Sequence, residues 1–235
     1  IVIALSTVLP ASVAAYLGGM ARLHEGVPAE WYPLGRILFA VTGLIAAGFV
    51  ATGIYLDFPA ITAELSVELV KRIAAADPAF AADPVATMAL ANSVLKIIPF
   101  VQPASWLLVI MANFWMALAI SRRSGLFRRP KDDWPTSLKM PSGALPLFAL
   151  AMAGTFLGGG FGMIAWCIAG AFSMAFVFTG FAALHRLSRG KPWRMTALWI
   201  AYATSLTIGI PVLAFLFAGL YDTAKKPAAD GSNFN

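Results

Sequence analysis

Four polar side chains around one proline-containing apolar segment could line a cavity that binds a small molecule. Helices interrupted by proline often line binding sites in membrane transporters, and a buried amide must find hydrogen-bond partners. Asn113 lies deepest in this segment, and the sequence leaves two interpretations open: a hydrogen bond between packed helices, or a group that faces a cavity. The candidate cavity-lining residues are Asn92, Lys96, Gln102 and Asn113.

The residue types needed for catalysis or for a bound cofactor lie outside the centres of the apolar segments. None of the 11 Asp and Glu residues is in the middle of a predicted span, where a proton pump or an intramembrane aspartyl protease would need one. His24 and His185 lie at span ends, so neither matches the depth of Ser173 or Ser205 as a protease base, or that of a mid-membrane haem. Cys167 is the single cysteine, which excludes an intrachain disulfide and a cysteine metal cluster. From the positions of all these residues we predict no enzymatic activity, no metal site and no cofactor.

The composition places these residues in a membrane protein. Of the 235 residues, 60% are hydrophobic and 12% are charged, and the mean hydropathy is +0.78. A soluble domain is about half apolar and about a quarter charged, and a disordered chain is less apolar still. The composition therefore excludes a disordered chain and argues strongly against a soluble domain.

The apolar runs predict an all-α fold, a polytopic bundle of about six transmembrane helices in one domain over residues 1–223. A span needs about 20 mostly apolar residues, and runs of this length without alternation are not strands. Because the sequence opens with Ile1 rather than Met, inside an apolar run, we expect further sequence before it. The predicted spans are 1–20, 34–56, 99–120, 141–157, 162–184 and 193–221, with an extramembrane helical segment at 58–97 and a disordered tail at 224–235.

The segment 58–97 is predicted to hold two helices outside the bilayer core. Ile61, Leu65, Leu69 and Ile73 recur every four residues, which is typical of an amphipathic helix at the membrane interface. A second short helix over 84–97 would run into a kinked segment at Pro99 and Pro103.

The basic residues predict the orientation of the chain. Twelve of the 17 Lys and Arg residues fall on one side of the predicted spans, and cytoplasmic loops carry such an excess. We therefore expect a multi-pass protein of the bacterial inner membrane, with the loops 122–141 and 185–195 in the cytoplasm. The net charge of +6 then reports topology, and nucleic acid is not an expected partner. A lipid-headgroup patch is the less favoured interpretation.

Asp132 and Asp133 are expected to form a solvated acidic turn within the basic loop, in preference to a headgroup or metal site.

Three sequence stretches resemble the YybS-like family of uncharacterised bacterial integral membrane proteins, in its alphaproteobacterial form. The resemblance covers about residues 9–223, and family members usually carry more apolar sequence before the position of Ile1. It implies a layout similar to the substrate-binding component of energy-coupling-factor vitamin transporters, with a small-molecule pocket near one membrane face and partner ATPases. The stretches are EWYPLGR at 30–36, AISRRSG at 119–125 and GFAALHRLSRG at 180–190.

Two functional hypotheses follow. The first is a transport-type membrane protein that binds a small molecule of unidentified chemistry. The alternative is a non-catalytic accessory or scaffold subunit of a membrane complex, suggested by the absence of buried charge and by the glycine-rich helix surfaces. Both hypotheses imply the lipid bilayer as a partner. The second also implies other membrane subunits.

Overall fold

The computed structural model describes residues 4–77, 80, 82–125 and 127–225. The regular secondary structure of this part of the chain is helical apart from one hairpin, as predicted for an all-α protein. A π-helical turn, Ala4–Val8, leads into the first helix. The helices are α1 (Leu9–Gly19), α2 (Leu34–Tyr55), α3 (Phe58–Ala76), α4 (Pro84–Arg123), α5 (Trp134–Ser137), α6 (Ala144–Gly154), α7 (Gly159–Leu187), α8 (Arg194–Thr207) and α9 (Ile210–Ala224).

The hairpin connects α1 to α2. Its strands, β1 (Ala21–His24) and β2 (Val27–Trp31), are antiparallel, with Ala21 opposite Trp31 and His24 opposite Val27. This hairpin was not predicted from the sequence, because it lies in a polar connection between two apolar runs. Both strands are largely exposed to solvent.

The core of the protein forms around α7. This helix packs against α2, α4, α6 and α9, and Phe176 near its middle is fully buried. Small residues dominate its buried positions, among them Ala169, Gly170, Ala171 and Ala175. Their size allows neighbouring helices to come close, as small residues do at helix interfaces in membrane proteins.

Three described helices are long and apolar enough to cross a membrane: α2, α4 and α7. A fourth crossing is counted if the bent pair α8 and α9 forms one span. The six predicted spans are therefore confirmed only in part. The fourth predicted span, 141–157, contains α6 with 11 residues. A helix of that length rises about 16 Å, whereas the bilayer core is about 30 Å thick. The helical part of the first predicted span, Ala4–Gly19, is also too short.

The sixth predicted span, 193–221, is not one helix. It breaks at Gly209, which has φ +73°, and α8 and α9 are bent by 118° at this point. Pro211 contributes to the break, since proline lacks an amide hydrogen and disfavours helix in the residue before it. α8 begins just beyond the end of α7, and Asp222 of α9 forms an ion pair with Arg186 in the last turn of α7. Both ends of the pair therefore lie near the same end of α7.

The two predicted helices of segment 58–97 have different outcomes. α3 forms as an amphipathic helix and packs on α4. The predicted short helix over 84–97 is instead the beginning of α4, which continues without a break through Pro99 and Pro103 to Arg123. A helix of 40 residues is about 60 Å long, twice the thickness of the bilayer core. One crossing would therefore use only about half of α4. The tail predicted to be disordered starts at the end of α9, and residues 226–235 lie outside the described residues.

Candidate ligand pocket

A cavity of about 570 Å³ lies between α3, α4 and the connection from α6 to α7. This volume is in the range of small-molecule sites, and the lining is largely apolar with a few polar groups, as such sites usually are. The lining residues are Phe58, Thr62, Ala63, Asn92, Leu95, Lys96, Pro99, Thr155, Leu157, Gly158, Gly159, Gly162, Met163 and Trp166.

Two of the four candidate residues line this cavity. Asn92 and Lys96 are spaced i,i+4, so they lie one above the other on the same face of α4. Between them in sequence, Leu95 turns to the core and is buried. Neither Asn92 nor Lys96 forms a hydrogen bond or ion pair within the described residues. The amide and the ammonium are therefore free to bind a ligand.

α4 and α7 cross closely beside the cavity. Gly170 lies against the Phe100 carbonyl, where a Cβ atom would be 2.0 Å from the carbonyl oxygen. The Phe100 ring also meets Trp166 edge-to-face, with ring centroids 5.7 Å apart. This contact fixes Trp166 in the wall of the cavity.

The cavity carries positive charge. Of the described residues that line it, only Lys96 is charged. α7 begins here, and Gly158 before it provides no side chain to cap the first amides. Unpaired amides at a helix start carry a partial positive charge. The two lining threonines are satisfied as donors: Thr155 donates to the Met152 carbonyl at 2.6 Å, and Thr62 donates to the Phe58 carbonyl at 2.9 Å. The Thr155 oxygen can still accept a hydrogen bond from a ligand.

Gln102 and Asn113 lie elsewhere on α4. Both are exposed, and neither is among the residues that line the cavity. Within the described residues, neither forms a hydrogen bond. The structure thus brings Asn92 and Lys96 together with α3 and α7, and leaves Gln102 and Asn113 on an outward face of the helix.

A second polar cluster, at the opposite end of the bundle, centres on Arg129. This side chain is 2% exposed. It donates to the backbone carbonyls of Gly18 at 3.1 Å and Tyr32 at 3.0 Å. It also donates to both oxygens of Asp132 at 2.8 and 2.7 Å, and its guanidinium lies 5.8 Å from the centre of the Trp31 ring. The cluster joins α1, the hairpin and the basic loop.

The prediction of a solvated acidic turn is therefore wrong for Asp132, whose side chain is 13% exposed and paired with Arg129. Asp133 is more exposed and forms a bidentate pair with Arg189 beyond the end of α7. The hydrogen bond from Arg189 lowers the pKa of Asp133 and in turn raises the pKa of Arg189. These ion pairs hold the basic loops together at one end of the protein. The pairing of Asp133 with Arg189 could not be predicted from the sequence because these residues are 56 positions apart.

Comparison with known proteins gave no match. No protein-family model matches the chain, and no curated protein or solved structure is significantly similar to it. In the part of the chain that the structure describes, no group of three or more His, Cys, Asp or Glu side chains could hold a metal ion.

Proposed function

We propose that this chain is a multi-pass protein of the bacterial inner membrane that binds a small molecule for transport. The observation that carries the proposal is the cavity beside α4, in which Asn92 and Lys96 have no partner within the described residues. Polar groups without partners in an otherwise apolar site commonly determine the specificity of a binding pocket. The resemblance to the YybS-like family agrees with a pocket near one membrane face. The loops 122–141 and 185–195 are assigned to the cytoplasm on their basic content.

The lining indicates the kind of ligand. Lys96 and the start of α7 favour an anionic or strongly electronegative group, which Asn92 could also bind. The Phe58, Met163 and Trp166 side chains offer an apolar surface for the rest of the molecule. The ligand that best fits is therefore a small molecule with one acidic group on an apolar body.

Direct identification of the ligand tests this proposal. The protein would be purified in mild detergent and its bound small molecules identified by mass spectrometry. We expect wild-type protein to retain an acidic ligand that K96Q and N92A lose. K71Q and S93A are matched controls, since Lys71 and Ser93 are exposed and lie outside the lining. Equal ligand retention by K96Q and K71Q would show that the pocket is not the binding site.

A non-catalytic accessory subunit is the second candidate function, and Asn113 favours it. An exposed amide in a membrane span has no water with which to form hydrogen bonds. A helix of another membrane subunit could provide the missing partner. Co-purification in mild detergent distinguishes the two: a partner protein lost on N113L, with K96Q unaffected, would support the accessory function.

A further inference from the structure

A groove at the other end of α4 combines cationic and apolar surface. Its volume is about 630 Å³. We propose that it binds one anionic phospholipid, with the phosphate at the basic end and an acyl chain along the apolar end. This inference rests on the membrane embedding proposed above and is independent of the ligand pocket. The groove is lined by Trp115, Met116, Ala119, Ile120, Arg122, Arg123 and Lys131.

The basic end has positive charge available for a ligand. Arg123 and Lys131 are exposed and form no ion pair or hydrogen bond within the described residues. Arg122 is held in place by the Pro130 carbonyl at 3.4 Å and by Asp132 at 3.8 Å. Since Asp132 already pairs closely with Arg129, it neutralises Arg122 only weakly. Three cations thus converge without a carboxylate among the described lining residues.

The apolar end points to a lipid as the source of the anion. Trp115 is 52% exposed and Ile120 is 67% exposed. Trp115 lies seven residues before Arg122, which is about 10 Å along the helix axis. That distance takes the groove from the phosphate level into the acyl-chain region of a bilayer. A free phosphate could use only the cations, whereas a phospholipid also covers Trp115 and Ile120. Basic pockets beside transmembrane helices are known to bind such headgroups.

Native mass spectrometry with added lipid tests the proposal. Wild-type protein in mild detergent would be titrated with phosphatidylglycerol, phosphatidylcholine or inorganic phosphate. We expect one phosphatidylglycerol to bind more tightly than phosphatidylcholine, and phosphate at millimolar concentration not to displace it. A basic residue near an anionic surface contributes about fivefold in affinity. The double variant R123Q/K131Q should therefore weaken phosphatidylglycerol binding about 25-fold.

The matched control is R128Q/K139Q, which removes the same charge from two exposed side chains of the same loop that lie outside the groove. We expect this variant to bind phosphatidylglycerol as the wild type does. Equal losses in the two double variants would mean general attraction to the basic surface and would overturn the proposal. Equal binding of phosphatidylglycerol and phosphatidylcholine by the wild type, or displacement by inorganic phosphate, would also overturn it. The wild-type result needs no variant to fold. Extraction of the chain from membranes by carbonate would instead refute the membrane embedding itself.

Discussion

Replacement of Arg129 by alanine should be one of the most destabilising single changes outside the apolar core. The variant leaves Asp132 with a largely buried charge, and it leaves the carbonyls of Gly18 and Tyr32 without their donor. Removing one partner of a buried ion pair costs about 3–5 kcal/mol. Arg122, 3.8 Å from Asp132, keeps part of the compensation, so we expect the lower end, about 3 kcal/mol.

Thermal unfolding in mild detergent would measure this change. For a chain of this size, about 3 kcal/mol corresponds to a fall in Tm of about 6–12 °C. R128A is the matched control, because Arg128 is the exposed neighbour, and surface changes usually stay within about 0.5 kcal/mol. In R129A/D132A the uncompensated carboxylate is gone, so the two effects should fall short of additivity by about 2 kcal/mol. An R129A variant as stable as R128A would refute the assignment of Arg129 as a buried connection between α1, the hairpin and the loop.

Three further predictions follow from the helix crossings and from the end of the protein that carries the ion pairs. G170A should cost about 1–3 kcal/mol in unfolding free energy, since its Cβ would collide with the Phe100 carbonyl; G43A, where nothing lies within 4 Å of a Cβ, should not destabilise, and equal effects would contradict the crossing. Because Arg189 lowers the pKa of Asp133 below its ordinary 3.8, the pair stabilises the fold fully above that pH. The stabilisation is lost as the pH falls through the lowered value. The Tm advantage of wild type over D133N should therefore be constant near neutral pH and vanish in acid, and an advantage that grows in acid would be the wrong sign. Finally, K191C and K225C should react with an impermeant maleimide from the same side of sealed vesicles, because both ends of the α8–α9 pair lie near one end of α7; labelling from opposite sides would restore a crossing span.

Hydropathy and periodicity predicted the helices in which one pattern of apolar residues continues along the whole helix. α2 and α7 are continuous apolar runs, and α3 has a four-residue apolar repeat. These patterns reflect local burial, which depends little on the rest of the fold. The same average over residues 193–221 concealed the break at Gly209, although glycine and Pro211 within three positions are a known signal for one.

For the polar sites, the sequence predicted which residues share one face of a helix, but not which other helices that face contacts. The spacing of Asn92 and Lys96 was enough to place both on one face of α4. That this face meets α3 and the start of α7 depends on the crossing at Gly170, which spacing does not encode. The burial of Arg129 could not be predicted from the basic loop alone, because its acceptors at Gly18 and Tyr32 are 111 and 97 positions away.

The unbroken course of α4 links the two ends of the protein mechanically. Lys96 at the pocket and Arg122 at the proposed lipid groove belong to one continuous helix, about 39 Å apart along its axis. We expect a change in the tilt of α4 at the pocket to displace the side chains of the groove as well. Binding of a ligand in the proposed pocket should then change the affinity of the proposed groove for lipid, because both sites share α4.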